Sequence, residues 1–208
     1  MGSEMCIRDR AVSMLGKFQD DPAPRHWKAL KHVCRYVKGT ADMGIIFPRR
    51  TDRVGLQAWS DADWARDESH RHSRSGYLIS YDESPILWSS RLQTATALST
   101  TEAEFTALSS CVRDVIWLRA VLSELGMTSR LPTTVFQDNL GAIAWTDEVQ
   151  GLRRVKHVGI RYHFVRGSVE RREVEIVYTP SAENKADSLT KVLAGQLHDV
   201  HRRYLGVE

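Results

Sequence analysis

Four acids in this 208-residue chain sit where periodic segments begin or end rather than along solvated faces. Asp61 follows the run GLQAWS, Asp138 follows TVFQ, Asp187 lies in the first turn of a helix after EIVYTP and the turn SAEN, and Glu104 stands in STTEAEFTAL. Clustered carboxylates repel one another unless something positive lies between them, and hard divalent cations with oxygen ligands meet that need. The group holds no histidine or cysteine, which favours Mg2+ or Mn2+ over zinc. Two such ions about 4 Å apart would activate a water and stabilise the leaving oxygen of an in-line phosphodiester displacement. The chemistry would be phosphoryl hydrolysis. Acids at strand ends are also ordinary turn and capping residues, and spacing alone leaves that reading open.

Glu104 differs from its neighbour Glu102. At about 100° per residue, Leu108, Cys111, Val115, Leu118 and Leu122 fall within about 40° of Glu104, so it heads the apolar stripe of its helix. Glu102 points away, and Ser99 with Glu102 makes the S-x-x-E capping box, which explains it by helix chemistry alone. An ionised carboxylate on a packing face is costly unless a cation or strong donors meet it.

The elements that must position these acids follow from the pattern. VGLQAWSDADWA, SGYLISYD and SPILWSSRL read as an antiparallel three-stranded meander, with turns at residues 67–72 and 82–85. A long helix runs from Thr100 to about Leu125 and stops at Gly126. TTVFQD reads as a fourth strand, Asn139 to Val149 and Lys156 to about Arg171 as helices, VEIVYTP as a fifth strand, and Asn184 onward as a final helix. This order implies an α/β domain of about 150 residues, a five-stranded mixed sheet flanked by helices. In such sheets, strand ends and helix starts converge on sites. Upstream, residues 22–38 read as an amphipathic basic helix closed by Gly39, residues 43–47 as a strand, and residues 48–53 as a linker.

Composition bounds the rest. With 42% hydrophobic residues the chain buries one substantial core, and no run approaches a membrane span. A net charge of +3 permits a polyanionic partner without demanding one. Cys6, Cys34 and Cys111 are isolated, which argues against zinc or a disulfide framework and fits a reducing compartment. The stretch MCIRD within residues 1–10 resembles a translated transposase adapter, which implies that this decapeptide is an assembly artefact.

WSDADWA, SRSGYLI, LWSSR, LSTTEAEFTAL, QDNLGAI, KHVGIRYHFVR and NKADSLTK occur in order over residues 54–195. Together they resemble the ribonuclease H domain of copia-type LTR retrotransposon Pol polyproteins. HWKALKHVCRYVKGTADMGIIF resembles the segment that joins it to the reverse transcriptase. The resemblance implies a ribonuclease H-like fold and hydrolysis of the RNA strand of an RNA/DNA hybrid, leaving 3′-hydroxyl and 5′-phosphate ends. It carries Asp61, Glu104, Asp138 and Asp187 over as catalytic acids that bind two Mg2+ or Mn2+ ions. It implies residues 11–53 as the end of the reverse transcriptase and its connection, 54–195 as the nuclease and 196–208 as a helical tail. The implied partners are the hybrid and the remainder of the Pol polyprotein, with no membrane. The implied place is the cytoplasm, within virus-like particles, not a secreted one.

Arg91, Lys156 and Arg161 are the candidates for phosphate contacts. Asp63 reads as a turn acid or auxiliary ligand, His157 and His163 as packing or phosphate contacts, and His70 and His72 as loop residues. The chain departs from the family at Arg66, Leu92 and Val192, where glycine, a second basic residue and proline are usual. It lacks the histidine that helps product leave cellular ribonucleases H, which implies a slow enzyme in isolation. The polymerase signature with paired aspartates does not occur in it. Two other readings stay open: a decayed or domesticated fold that only binds hybrid or protein, and a nucleotide-binding α/β protein, against which the missing glycine-rich phosphate loop speaks.

Overall fold

The computed structural model describes residues 5–47, 54–65, 71–127, 129–147, 156–193 and 195–207. The elements in chain order are α1 (Met5–Gly16), α2 (Pro24–Gly39), β1 (Leu56–Asp63), β2 (Arg74–Tyr81), β3 (Ser84–Leu92), α3 (Thr100–Glu124), β4 (Thr133–Gln137), α4 (Leu140–Asp147), α5 (Lys156–Glu170), β5 (Val174–Tyr178), α6 (Asp187–Thr190) and α7 (Gly195–Tyr204). The five strands form one sheet in the order β3-β2-β1-β4-β5. β1, β2 and β3 pair antiparallel, whereas β1 with β4 and β4 with β5 pair parallel, which makes the expected mixed sheet.

The β2–β3 connection is tight because Asp82 and Glu83 both take positive φ, 49° and 64°, the backbone of a two-residue hairpin turn whose twist matches its strands. The turn expected at residues 67–72 and the linker at 48–53 lie largely or wholly outside the described residues. α3 starts at Ser99, whose Oγ accepts from the Glu102 amide at 3.1 Å, while Glu102 reaches back to the amide of Leu98, not Ser99, at 2.7 Å. The capping box is therefore shifted by one residue on its return arm. Gly126 ends the helix with φ 74°, a conformation open to glycine.

Two cores lie on opposite faces of the sheet. On one, Phe105, Leu108, Cys111, Val112 and Val115 of α3 pack with Ala58, Ile79 and Val135 of the strands and with Tyr162 and Val165 of α5. On the other, Trp59 and Leu78 meet Leu189 of α6 and Leu205 and Val207 after α7. At roughly 1.5–3 kcal/mol for each large apolar side chain buried, these two layers hold α3 and α6 against β1 from both sides.

Three sequence expectations change. Residues 43–47 form no strand: Ile45 makes only an isolated antiparallel bridge to Val207, because the stretch it meets is the short end after α7. Gly39 is the last residue of α2, and Thr40 takes the cap position. The helix expected from Asn184 onward is broken. Asn184 Nδ2 donates to the Ser60 carbonyl at 2.9 Å and its Oδ1 accepts from the Ala186 amide at 3.1 Å, the local turn that asparagine favours over helix. α6 then lasts only to Thr190, since Lys191 is extended with φ −102° and ψ 155°. No helix among the described residues is long and apolar enough to cross a membrane.

Candidate metal centre

Register sets the first two acids side by side. Trp59 of β1 lies opposite Phe136 of β4 in parallel pairing, with their rings stacked at 5.2 Å. Two residues on come Asp61, still in β1, and Asp138, the first residue past β4, so both emerge at the C-terminal edge of the sheet. Glu104 arrives from α3 at the start of its second turn. Ala62, Ala97, Ala103 and Ala107 form a small buried cluster there, and such short side chains let α3 come close to β1. Carboxylate oxygens of Asp61, Glu104 and Asp138 lie within 4.8 Å of one another.

Asp187 is not within that group. It is tied to it through Lys191, whose Nζ donates to Asp187 Oδ1 at 2.8 Å and to Asp61 Oδ1 at 3.2 Å. Thr190 Oγ1 donates to the other oxygen of Asp61. Ser181 Oγ donates to Asp138 Oδ2 at 2.6 Å, and Gln137 Oε1 accepts from the Asp138 amide at 2.7 Å. Glu104 Oε2 is buried with no hydrogen-bond partner.

The electrostatics follow from burial. Asp61 is 1% exposed and Glu104 7%. Desolvation, with Asp61 and Asp138 adding to it, pushes the Glu104 carboxyl up to about 9. Burial raises Asp61 to about 6 although Lys191 opposes the rise. Asp187 is also raised by burial against the pull of Lys191. Burial lowers Lys191, but Asp61 and Asp187 outweigh that and leave its ammonium held more firmly than usual. One ammonium thus fails to balance the pocket, and protons or other cations must supply the remainder. Oxygen-only donors, an orphaned buried carboxylate oxygen and surplus negative charge fit a hard divalent cation.

Two glycines make the assembly possible. Asp61 pairs with Gly76 across the β1–β2 ladder, and a Cβ at Gly76 would stand 2.6 Å from Thr190 Cγ2 and 2.9 Å from Leu189 Cβ. Only glycine lets α6 lie this close to β2. A Cβ at Gly141 would meet Thr101 Oγ1 at 2.8 Å, where α4 crosses the start of α3. Asn139 caps α4 by accepting from the Ala142 amide at 2.9 Å.

Of the expected phosphate contacts, Arg91 and Arg161 line one groove together with Gln93, Thr106 and Arg113. Arg161 Nη1 reaches Thr106 Oγ1 at 3.4 Å. Lys156 opens α5, but its side chain lies outside the described part. Asp63 is the last residue of β1, and its charge adds in a small way to the rise of Asp187. His72 bonds the Gln93 carbonyl instead of sitting in solvent. The His70 and His157 side chains fall outside the described part. The sequence reading missed Lys191, Thr190, Ser181 and Asn184. The Asp187-to-Lys191 spacing of four in DSLTK is an ion-pairing signal that could have revealed the lysine.

No family model matches the chain. Over 197 residues, 95% of its length, it is 35% identical to the Retrovirus-related Pol polyprotein from transposon RE2 of Arabidopsis thaliana. Over 210 residues, spanning 100% of the chain, it is 34% identical to the Retrovirus-related Pol polyprotein from transposon TNT 1-94 of Nicotiana tabacum. It spans 14% and 16% of the length of these relatives. Among solved structures it is similar to LC11-RNase H1 isolated from compost, with a TM-score of 0.49 and 18% identity over 65% of this chain and 92% of that one. Matched along nearly its whole length by transposon polyproteins, the chain belongs to the copia-type retrovirus-related Pol polyproteins.

Proposed function

We propose that this chain is a metal-dependent endoribonuclease that hydrolyses the RNA strand of RNA/DNA hybrids, a ribonuclease H segment of a retrotransposon Pol polyprotein. One observation carries the reading: three carboxylates from β1, α3 and the end of β4, distant in sequence, bring oxygens within 4.8 Å of each other, and one of them keeps a buried oxygen with no partner. Asp61, Glu104 and Asp138 would hold one Mg2+ or Mn2+, and Asp61 with Asp187 would hold the other. When bound, the ions would supply water activation and charge stabilisation at the leaving oxygen.

The chain's own residues do the positioning. The Ser181 hydroxyl, bonded to Asp138 Oδ2, fixes that carboxylate with its second oxygen turned to other partners. Thr190 orients Asp61 in the same way. In the net reaction, water oxygen bonds to phosphorus, the bond from phosphorus to the 3′ oxygen breaks, and that oxygen takes a proton to leave a 3′-hydroxyl and a 5′-phosphate. Arg91 and Arg161, with Lys156, would seat the hybrid backbone. Residues 54–195 would form the nuclease, acting in cytoplasmic virus-like particles beside the reverse transcriptase of the polyprotein.

The test is incubation of the full chain with an end-labelled RNA/DNA hybrid and Mg2+ or Mn2+, beside Asp138→Asn. RNA cleavage is expected from the wild type and a loss of on the order of a hundredfold or more in the variant. Equal cleavage by both proteins would mean a contaminant. Hybrid retention without cleavage by the wild type would favour a fold that binds but does not cut.

A further inference from the structure

Lys191 has no task in a pocket built for two divalent ions. It stands where one of them would go. Its Nζ is 3.2 Å from Asp61 Oδ1 and 2.8 Å from Asp187 Oδ1, which is the bridging position between one member of the three-acid group and the acid outside it. An ammonium at that distance and a dication cannot share the same pair of oxygens. The Glu104 side is different: its Oε2 is buried and has no hydrogen-bond partner, so a cation can bind that oxygen without displacing a donor from it.

Lys191 also has a way out. Its side chain is 31% exposed, against 1% for Asp61 and 11% for Asp187. It follows the last residue of α6 in extended backbone, with four side-chain bonds free to swing the ammonium to solvent.

We propose that the Lys191 ammonium is a resident cation of the Asp61–Asp187 side, which the second divalent ion must displace, so that the two ion positions fill in order and with unequal affinity. The lysine is a positioning residue: it holds Asp187 against Asp61 before metal arrives and sets the concentration at which the second ion enters. This inference rests on the nuclease reading above, and its failure can be told apart from the failure of that reading.

Calorimetric titration of Mn2+ into the full chain tests it. The wild type should take one ion per chain tightly and a second at least about tenfold more weakly. Lys191→Gln should tighten the second step by on the order of tenfold, because a competing unit charge is gone. Lys191→Arg keeps the charge and should leave the second step within about threefold of the wild type. Two equal sites in the wild type, or an unchanged or weaker second step in Lys191→Gln, would overturn the proposal, since a merely structural lysine would lower affinity when removed. A wild type that binds no Mn2+ would overturn the nuclease reading as well. Should Lys191→Gln not fold, Mg2+ titration of wild-type chain labelled with 13C at lysine Cε decides. The Lys191 signal is expected to sharpen and move to the position of solvated lysine during the second step, and a signal that stays put through both steps overturns the proposal.

Discussion

Glu104 is the residue on which the account turns. Its helix gives it an apolar stripe and a depth at which only 7% of it meets solvent, and no donor reaches its Oε2. Glu104→Gln removes the charge while keeping the shape. The metal-free variant should gain on the order of 1 kcal/mol at pH 8 in urea unfolding, and Mg2+ should no longer stabilise it; a variant that Mg2+ protects as well as the wild type would contradict the ligand role. The same carboxyls set a pH dependence. In the folded chain Glu104 is raised from 4.5 to about 9 and Asp61 from 3.8 to about 6. Between those limits the folded state binds more protons than the unfolded one. Their contribution to stability without metal is therefore fully present below their unfolded values of 3.8 and 4.5 and is lost as pH rises through the folded values. Saturating Mg2+ takes the place of the protons and should flatten this slope. Unfolding at pH 5, 7 and 9 with and without Mg2+ measures it, and stability that rises with pH in the metal-free protein would contradict the burial of these acids.

At the scale of elements, the centre depends on how closely α6 and α4 approach the sheet and α3. Gly76→Ala places a Cβ against Thr190 and Leu189, so α6 must shift together with Asp187, Thr190 and Lys191. A cost of about 1–3 kcal/mol is expected, with weakened Mn2+ binding. Gly159 in α5 supplies the control, because a Cβ there meets nothing within 4 Å. Gly159→Ala should stabilise by roughly 0.5–1 kcal/mol and leave Mn2+ binding unchanged. Equal behaviour of the two variants in unfolding and Mn2+ titration would mean that the close approach of α6 does not matter. α6 is also where the sequence was least legible. Hydrophobic period and turn residues mark every strand and the long helix, but nothing periodic can mark a four-residue helix between two irregular turns. Its geometry is set by Asn184 bonding to Ser60, 124 positions earlier.

Across the whole molecule, the antiparallel meander of β1, β2 and β3 follows from alternating patterns and short connections, whereas the convergence of the acids needs the parallel register of β1 with β4, which no local signal contains. The four acids could be named from the ends of elements and from the family resemblance. That Asp187 joins the others through an ammonium could not, because it depends on where the chain turns after Thr190. The basic groove is the remaining long-range feature. Arg91 and Arg161 share it on a chain of net charge +3. Replacing either with alanine should weaken hybrid binding at all sequences and lower the slope of log affinity against log salt by about 1. Slopes equal to that of the wild type would remove both residues from the hybrid interface.

The gathering of acids into a divalent-ion pocket is tested most directly by anomalous diffraction from crystals of the full chain soaked in Mn2+. A peak is expected about 2.0–2.4 Å from carboxylate oxygens of Asp61, Glu104 and Asp138. Density showing these three side chains in place in saturating Mn2+ with no peak among them would contradict it.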